Sequence, residues 1–224
     1  MANERTGKYG GTYYGSYFTE SEPLNNSEMA VNSRYLYEVL HYIHGWTMNG
    51  VAGLLGNTQA ESSINPGRWQ SDNVGNYSAG YGLVQWTPAT KYTDWCNSNG
   101  YSDPSEMDAA IARIIYELEN GGQWYATDSY DMSFSEFATS DSDPGTLAKA
   151  FLLNYERPAD QSSSVQEYRA GLATNWYTYL SEYYAGITPD IPDPEPDTPS
   201  KPWSKKKGYN FLLFNQSKRR MRRG

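Results

Sequence analysis

The sequence predicts an α+β fold that is mainly α-helical, with one small β-hairpin region after the second helix. Helix start signals recur throughout residues 25–186, and the apolar residues between them repeat at helical spacing. One segment, residues 65–86, breaks this pattern with turn residues and a short β-branched and aromatic run.

The elements follow in order. A first helix is expected over residues 27–44, with Val31, Tyr35, Val39, Leu40 and Ile43 on one side and Gly45 at its C-terminal end. A second begins at Thr47 and reaches Ser62. Three further starts place an N-cap residue before proline, at Thr87-Pro88, Asp103-Pro104 and Asp143-Pro144. Proline suits the first helical position because the N–H it lacks would have no partner there. Ser133 with Glu136 and Ser164 with Glu167 have capping-box spacing, the second opening a long helix that ends near Tyr184.

The flanks differ in character. Residues 1–24 are rich in Gly, Tyr, Ser and Thr, and read as an N-terminal arm that is mobile or ordered only on a partner. Six of the twelve prolines fall between Thr188 and Pro202, interleaved with Asp190, Asp193, Glu195 and Asp197, so residues 187–203 read as an extended acidic linker. Residues 204–224 form a basic tail. The net charge of −8 therefore conceals an acidic body: nine basic and 26 acidic side chains lie in residues 1–200, and nine basic and no acidic ones in the last 24.

Leu, Ile, Val and Phe make up only about 15% of the chain, a fraction that with this charge would ordinarily mean disorder. Seven Trp and 21 Tyr supply the missing apolar area, enough for one core in residues 25–186. No apolar run is long enough to span a membrane, and the N-terminus lacks the apolar stretch of a signal peptide. Cys96 is the single cysteine, which excludes an internal disulfide and a cysteine-based zinc site. His41 and His44 lack a third ligand at a recognisable spacing and read as structural, so no metal or cofactor is expected. No Gly-x-Ser-x-Gly elbow accompanies them.

Glu61 is the carboxylate of interest. The apolar stripe of the second helix is Val51, Leu54, Leu55 and Thr58, and Glu61 falls at its border, where packed protein or a cleft would partly desolvate the acid. Desolvation keeps a carboxyl protonated, as donation to a glycosidic oxygen requires. Spacing alone favours a capping or surface glutamate.

The motifs around it carry a resemblance. Glu61-Ser62 at a helix end, followed by Gly82-Leu83-Val84-Gln85 in a Gly-rich segment, is similar to the active-site pattern of goose-type lysozymes and soluble lytic transglycosylases. Asn32-x-x-Tyr35-x-Tyr37, Gly45-Trp46-Thr47, Gly56-Asn57-x-Gln59-x-Glu61-Ser62-x-Ile64-Asn65-Pro66-Gly67-x-Trp69-Gln70, Gly82-Leu83-Val84-Gln85-Trp86-Thr87-Pro88 and Tyr155-Glu156-Arg157-Pro158 together resemble the bacteriophage tail lysozyme family. These blocks run in register over some two thirds of the chain.

The resemblance implies a lysozyme-like fold cleaving the β-1,4 bond between N-acetylmuramic acid and N-acetylglucosamine, with Glu61 as general acid. It implies peptidoglycan glycan strands as partner and a place at the tail tip of a phage virion, acting on the host wall. Lytic transglycosylation, an endolysin role at host lysis and a non-catalytic glycan-binding module are the alternatives. Two-carboxylate glycosidases need a partner across the scissile bond. Asp72 is the acidic residue of the segment following Glu61, and reads either as that partner or as a turn aspartate. Asn57, Tyr81, Gln85, Trp86 and Tyr155 are candidates for substrate binding, with Trp86 equally readable as core, while Glu156 with Arg157 reads as a structural ion pair. The N-terminal arm and basic tail are candidate contacts to phage tail or virion proteins; no nucleic-acid partner is expected.

Overall fold

The computed structural model describes residues 2–185. The expected linker and basic tail lie outside the described residues. Two strands come first, β1 (Asn3–Thr6) and β2 (Thr12–Gly15), followed by α1 (Asn26–Glu38) and a π-helical turn over Val39–Ile43. Then come α2 (Met48–Ser62), a 3-10 turn at Gln70–Asp72, α3 (Thr90–Ser98), α4 (Met107–Asn120), α5 (Phe134–Thr139) and α6 (Pro144–Phe151). A second π-helical turn, Leu152–Glu156, and the long α7 (Ser163–Tyr183) complete the described residues.

The capping chemistry explains most boundaries. Thr47 accepts the Gly50 N–H at the start of α2, Ser133 and Glu136 form the expected capping box on α5, and Asp143 caps α6 with Pro144 at its first position. Other starts moved for identifiable reasons. Helix α3 begins only at Thr90, with Ala89 before it making no side-chain cap. Asp103 turns back onto Ser105 and binds Arg5 at 2.7 Å, so α4 starts later, at Met107. Glu167 bonds Lys149 at 2.6 Å instead of folding back onto Ser164.

The fold is mainly helical with a small antiparallel sheet, but the sheet is not in residues 65–86. That segment holds only single-residue bridges, Trp69 to Tyr81 and Tyr81 to Trp86, among turns. The sheet is the pairing of β1 with β2, in register Asn3 to Gly15 through Thr6 to Thr12. The N-terminal arm expected to be mobile or partner-ordered is therefore an ordered part of the domain. Two buried asparagines hold it there. Asn32 of α1 accepts the Tyr14 N–H and donates to the carbonyls of Tyr14 and Ile64, while Asn65 accepts the Ser16 N–H and donates to Ser16 Oγ and the Glu22 carbonyl. An extended strand with few apolar residues gains little from burial, so these polar anchors, with buried Tyr13, fix it.

At the centre lies α2, buried continuously from Gly50 to Thr58 and flanked by α6 and α7. Its glycines make this possible. A Cβ on Gly53 would sit 2.9 Å from Leu147 Cβ of α6, and one on Gly56 would sit 2.6 Å from the Arg169 carbonyl oxygen of α7. Large aromatics fill the remainder, among them Trp46, Trp69, Tyr35, Tyr81, Tyr92 and Tyr155, all fully buried.

Gly56→Ala is expected to destabilise the fold by about 1–3 kcal/mol despite alanine's better helix propensity, because the added methyl meets backbone that cannot yield locally. Urea denaturation would show it as a lowered midpoint; an unchanged or raised midpoint would contradict the close approach.

Candidate active site

Glu61 occupies the last turn of α2, which ends at Ser63 in a left-handed conformation. Three side chains of this helix end fix the surroundings. Ser62 donates to the Leu83 carbonyl at 2.8 Å, tethering the Gly82–Gln85 turn to α2. Asn57 donates to the carbonyls of Gly53 and Ala148, joining α2 to α6. Glu61 itself accepts from Arg169 Nη2 of α7 at 2.6 Å, while Arg169 Nη1 donates to the Asn57 carbonyl at 2.9 Å. Arg169 is nearly buried and Glu61 is 21% exposed, so the pair sits at the edge of the core with the carboxyl toward solvent.

That solvent is a cleft of about 340 Å³. Glu61, Glu156 and Arg68 supply its charged wall; Gln70, Ser71, Gln85 and Thr87 supply hydroxyls and amides. A neighbouring cavity of about 220 Å³ shares Gln85, Thr87 and Glu156 and continues to Lys91 and Gln123. Gln85, in a left-handed conformation, donates through Nε2 to the carbonyls of Arg68 and Gly82, which pins both sides of the cleft floor together.

The structure separates the sequence-predicted residues. Glu61 and Gln85 share the cleft wall, and Trp86 lies on the wall of the neighbouring cavity. Asn57, Tyr81 and Tyr155 are in the core, with at most 1% of their surface exposed, so they support the site from beneath rather than offering surface to a ligand. Asp72 is not on the cleft wall. Its carboxylate accepts from Arg68 Nε at 2.9 Å and from Ser21 Oγ at 2.9 Å, which ties its turn to the N-terminal segment. Glu156 and Arg157 form no ion pair, because Arg157 is left-handed and donates instead to the carbonyls of Gln123 and Asn154.

Residues 31–180 match the family model of the phage tail lysozyme. The chain belongs to the phage tail lysozyme family. It is also 42% identical over 167 residues to morphogenesis protein 1 of Bacillus phage B103, across 74% of this chain and 43% of that protein. The chain thus spans less than half the length of that relative.

In this member of the tail lysozyme family, two neighbours of the cleft escaped sequence reasoning and a third was read there as half of an ion pair. Arg169 belongs to no motif, and its partnership with Glu61 spans 108 positions. Glu117 was findable: it continues the apolar face of α4 three residues after Ile114, and a lone acid on such a face implies partners. It accepts from Arg113 Nε at 2.8 Å, from Trp86 Nε1 and from the Tyr155 hydroxyl, forming a buried network beneath the cleft. Burial raises its carboxyl above the ordinary range against the pull of Arg113 and these donors.

Glu156 is the third. Its Oε1 is buried and, among the described residues, has no hydrogen-bond partner. Burial first, and then the charge of neighbouring Glu61, hold its carboxyl well above the ordinary 4.5. The folded protein therefore binds a proton that the unfolded chain releases above that value, so this group makes stability fall as pH rises from 4.5 toward the folded-state pKa. Glu156→Gln removes that dependence. The expected outcome is a urea midpoint for the variant that, relative to the parent, is higher at pH 7.5 than at pH 4.5; a constant difference between the two pH values would contradict it.

Proposed function

We propose that this protein is a phage tail-associated peptidoglycan glycosidase that cleaves the β-1,4 bond between N-acetylmuramic acid and N-acetylglucosamine, with Glu61 as general acid. The observation that carries this reading is Glu61 itself, held by Arg169 through one oxygen at the wall of a polar cleft. Membership of the tail lysozyme family and the morphogenesis relative support a virion role in penetrating the host wall.

The chemistry follows from the leaving group. A sugar hydroxylate leaves poorly, so a carboxyl must donate a proton to the glycosidic oxygen as the C1–O bond breaks. Engagement of Oε1 by Arg169 fixes the Glu61 rotamer, and the amides and hydroxyls of Gln70, Ser71 and Thr87 complement the hydroxyl edges of a glycan. Water then captures the anomeric carbon, or the 6-hydroxyl of the same sugar does so and closes a 1,6-anhydro ring.

Digestion of purified peptidoglycan, followed by mass spectrometry of the muropeptides, tests this directly. The parent is expected to release soluble fragments, and Glu61→Gln to lower the rate by about 10²–10⁴-fold. The amide oxygen still accepts from Arg169, so the variant should keep its fold. Reducing-end muramic acid would mean hydrolysis and a 1,6-anhydro product lytic transglycosylation. Near-parental turnover by Glu61→Gln would overturn the assignment, and no product from several wall chemotypes would make the domain a glycan-holding module.

A further inference from the structure

Glu156 reaches the cleft through a local backbone device. Helix α6 runs directly into the π-helical turn Leu152–Glu156, and the chain leaves it through Arg157 at φ 48°, ψ 53°. A π turn inserts one residue into the helical repeat and re-aims the side chains at its end, and such turns concentrate at functional sites. Here the device sends neighbouring residues to different places. Arg157 goes to the Gln123 and Asn154 carbonyls and lies over exposed Tyr125, with its guanidinium carbon 4.6 Å from the ring centre. Glu156 joins Glu61 on the cleft wall, and among the described residues it has no cation in ion-pair range and no hydrogen-bond partner for Oε1.

We propose that Glu156 is the second working carboxyl of the cleft, holding one proton jointly with Glu61 so that the site retains a proton for the glycosidic oxygen; this rests on the glycosidase reading above. The charges facing the pair come from every side. Glu61 lies on α2, Arg169 on α7 and Glu117 on α4; Arg157 follows Glu156 in the chain, and Arg68 lies on the same cleft wall. The cations are committed in large part, although Arg68 Nη1 has no hydrogen-bond partner among the described residues. Arg68 is bound to both oxygens of Asp72, Arg157 to backbone carbonyls, and Arg169 to Glu61 and the Asn57 carbonyl. One guanidinium thus neutralises one carboxylate. A second negative charge beside it, buried and unpartnered, is costly, and binding a proton removes that cost.

The cycle balances without a further reactant. The pair gives its proton to the glycosidic oxygen, which keeps the electron pair of the breaking C1–O bond. The attacking water or 6-hydroxyl bonds to the anomeric carbon and loses its own proton, which restores the pair. Asp72, tied to Arg68 and Ser21, takes no part.

Carbon-13 NMR titration of the glutamate carboxyls, with the full chain and its Glu61→Gln and Glu156→Gln variants, reads the pair without requiring activity. The expected result is one parental carboxyl that titrates well above the ordinary range, is absent from Glu156→Gln, and moves down in Glu61→Gln, where Arg169 no longer faces a second carboxylate. If the Gln variant fails to fold, Glu156→Asp supplies the resonance assignment. Glu156 titrating in the ordinary range, or at the same pH with and without Glu61, would overturn the proposal. In pH–rate profiles on peptidoglycan, Glu156→Gln should shift the alkaline limb of kcat/KM to lower pH and cost at least about tenfold at pH 7, with KM changed less than about twofold. An unchanged profile would leave Glu156 a structural acid and overturn its role. Should the parent release no muropeptides, the glycosidase reading fails while the titration still decides whether the two carboxyls share a proton.

Discussion

The contact of α7 with α2 at Gly56 is the constraint on which the site depends. The Arg169 carbonyl oxygen lies 2.6 Å from where a Cβ of residue 56 would be, and the same residue's guanidinium reaches the Asn57 carbonyl and Glu61. Backbone proximity and side-chain pairing are thus two consequences of one helix crossing. Moving α7 outward by the width of a methyl group would loosen the hold on Glu61, so packing at the centre of the core and orientation of a carboxyl at its edge are coupled.

A second layer supports the cleft from below. Trp86 and Tyr155, which carry cleft motifs in the sequence, spend their polar tips on Glu117, and Arg113 completes the network. Buried aromatics with satisfied polar ends give a rigid floor, because each ring is fixed by packing and by a directional bond. This places Gln85 and Glu156, the sequence neighbours of Trp86 and Tyr155, on the cleft wall. Alternate residues of one motif therefore serve as floor and wall. A motif read only as ligand contacts overstates the number of residues that meet the ligand.

The N-terminal segment shows how composition misleads. Gly, Tyr, Ser and Thr without an apolar period suggested an arm, yet the segment pairs as β1 and β2 and is clamped by Asn32 and Asn65. Both asparagines lie in the motif blocks that carry the family resemblance. What they recognise is the chain's own backbone, and the open N–H and C=O groups of a short strand provide the bonds.

The sequence by itself determined the helical class, the span of α2, the starts of α5 and α6, the aromatic character of the core and the position of Glu61 at the border of a helical stripe. These follow from local rules: caps satisfy nearby backbone groups, and periodicity decides which face is apolar. Only the tertiary structure decided which acid stands opposite which cation. Asp103 left its predicted cap for Arg5, Asp72 went to Arg68, Glu61 found Arg169 across 108 positions, and Glu156 Oε1 was left without a hydrogen-bond partner among the described residues. Charge pairing depends on distance in space and on burial, and neither is encoded in the spacing of residues along the chain.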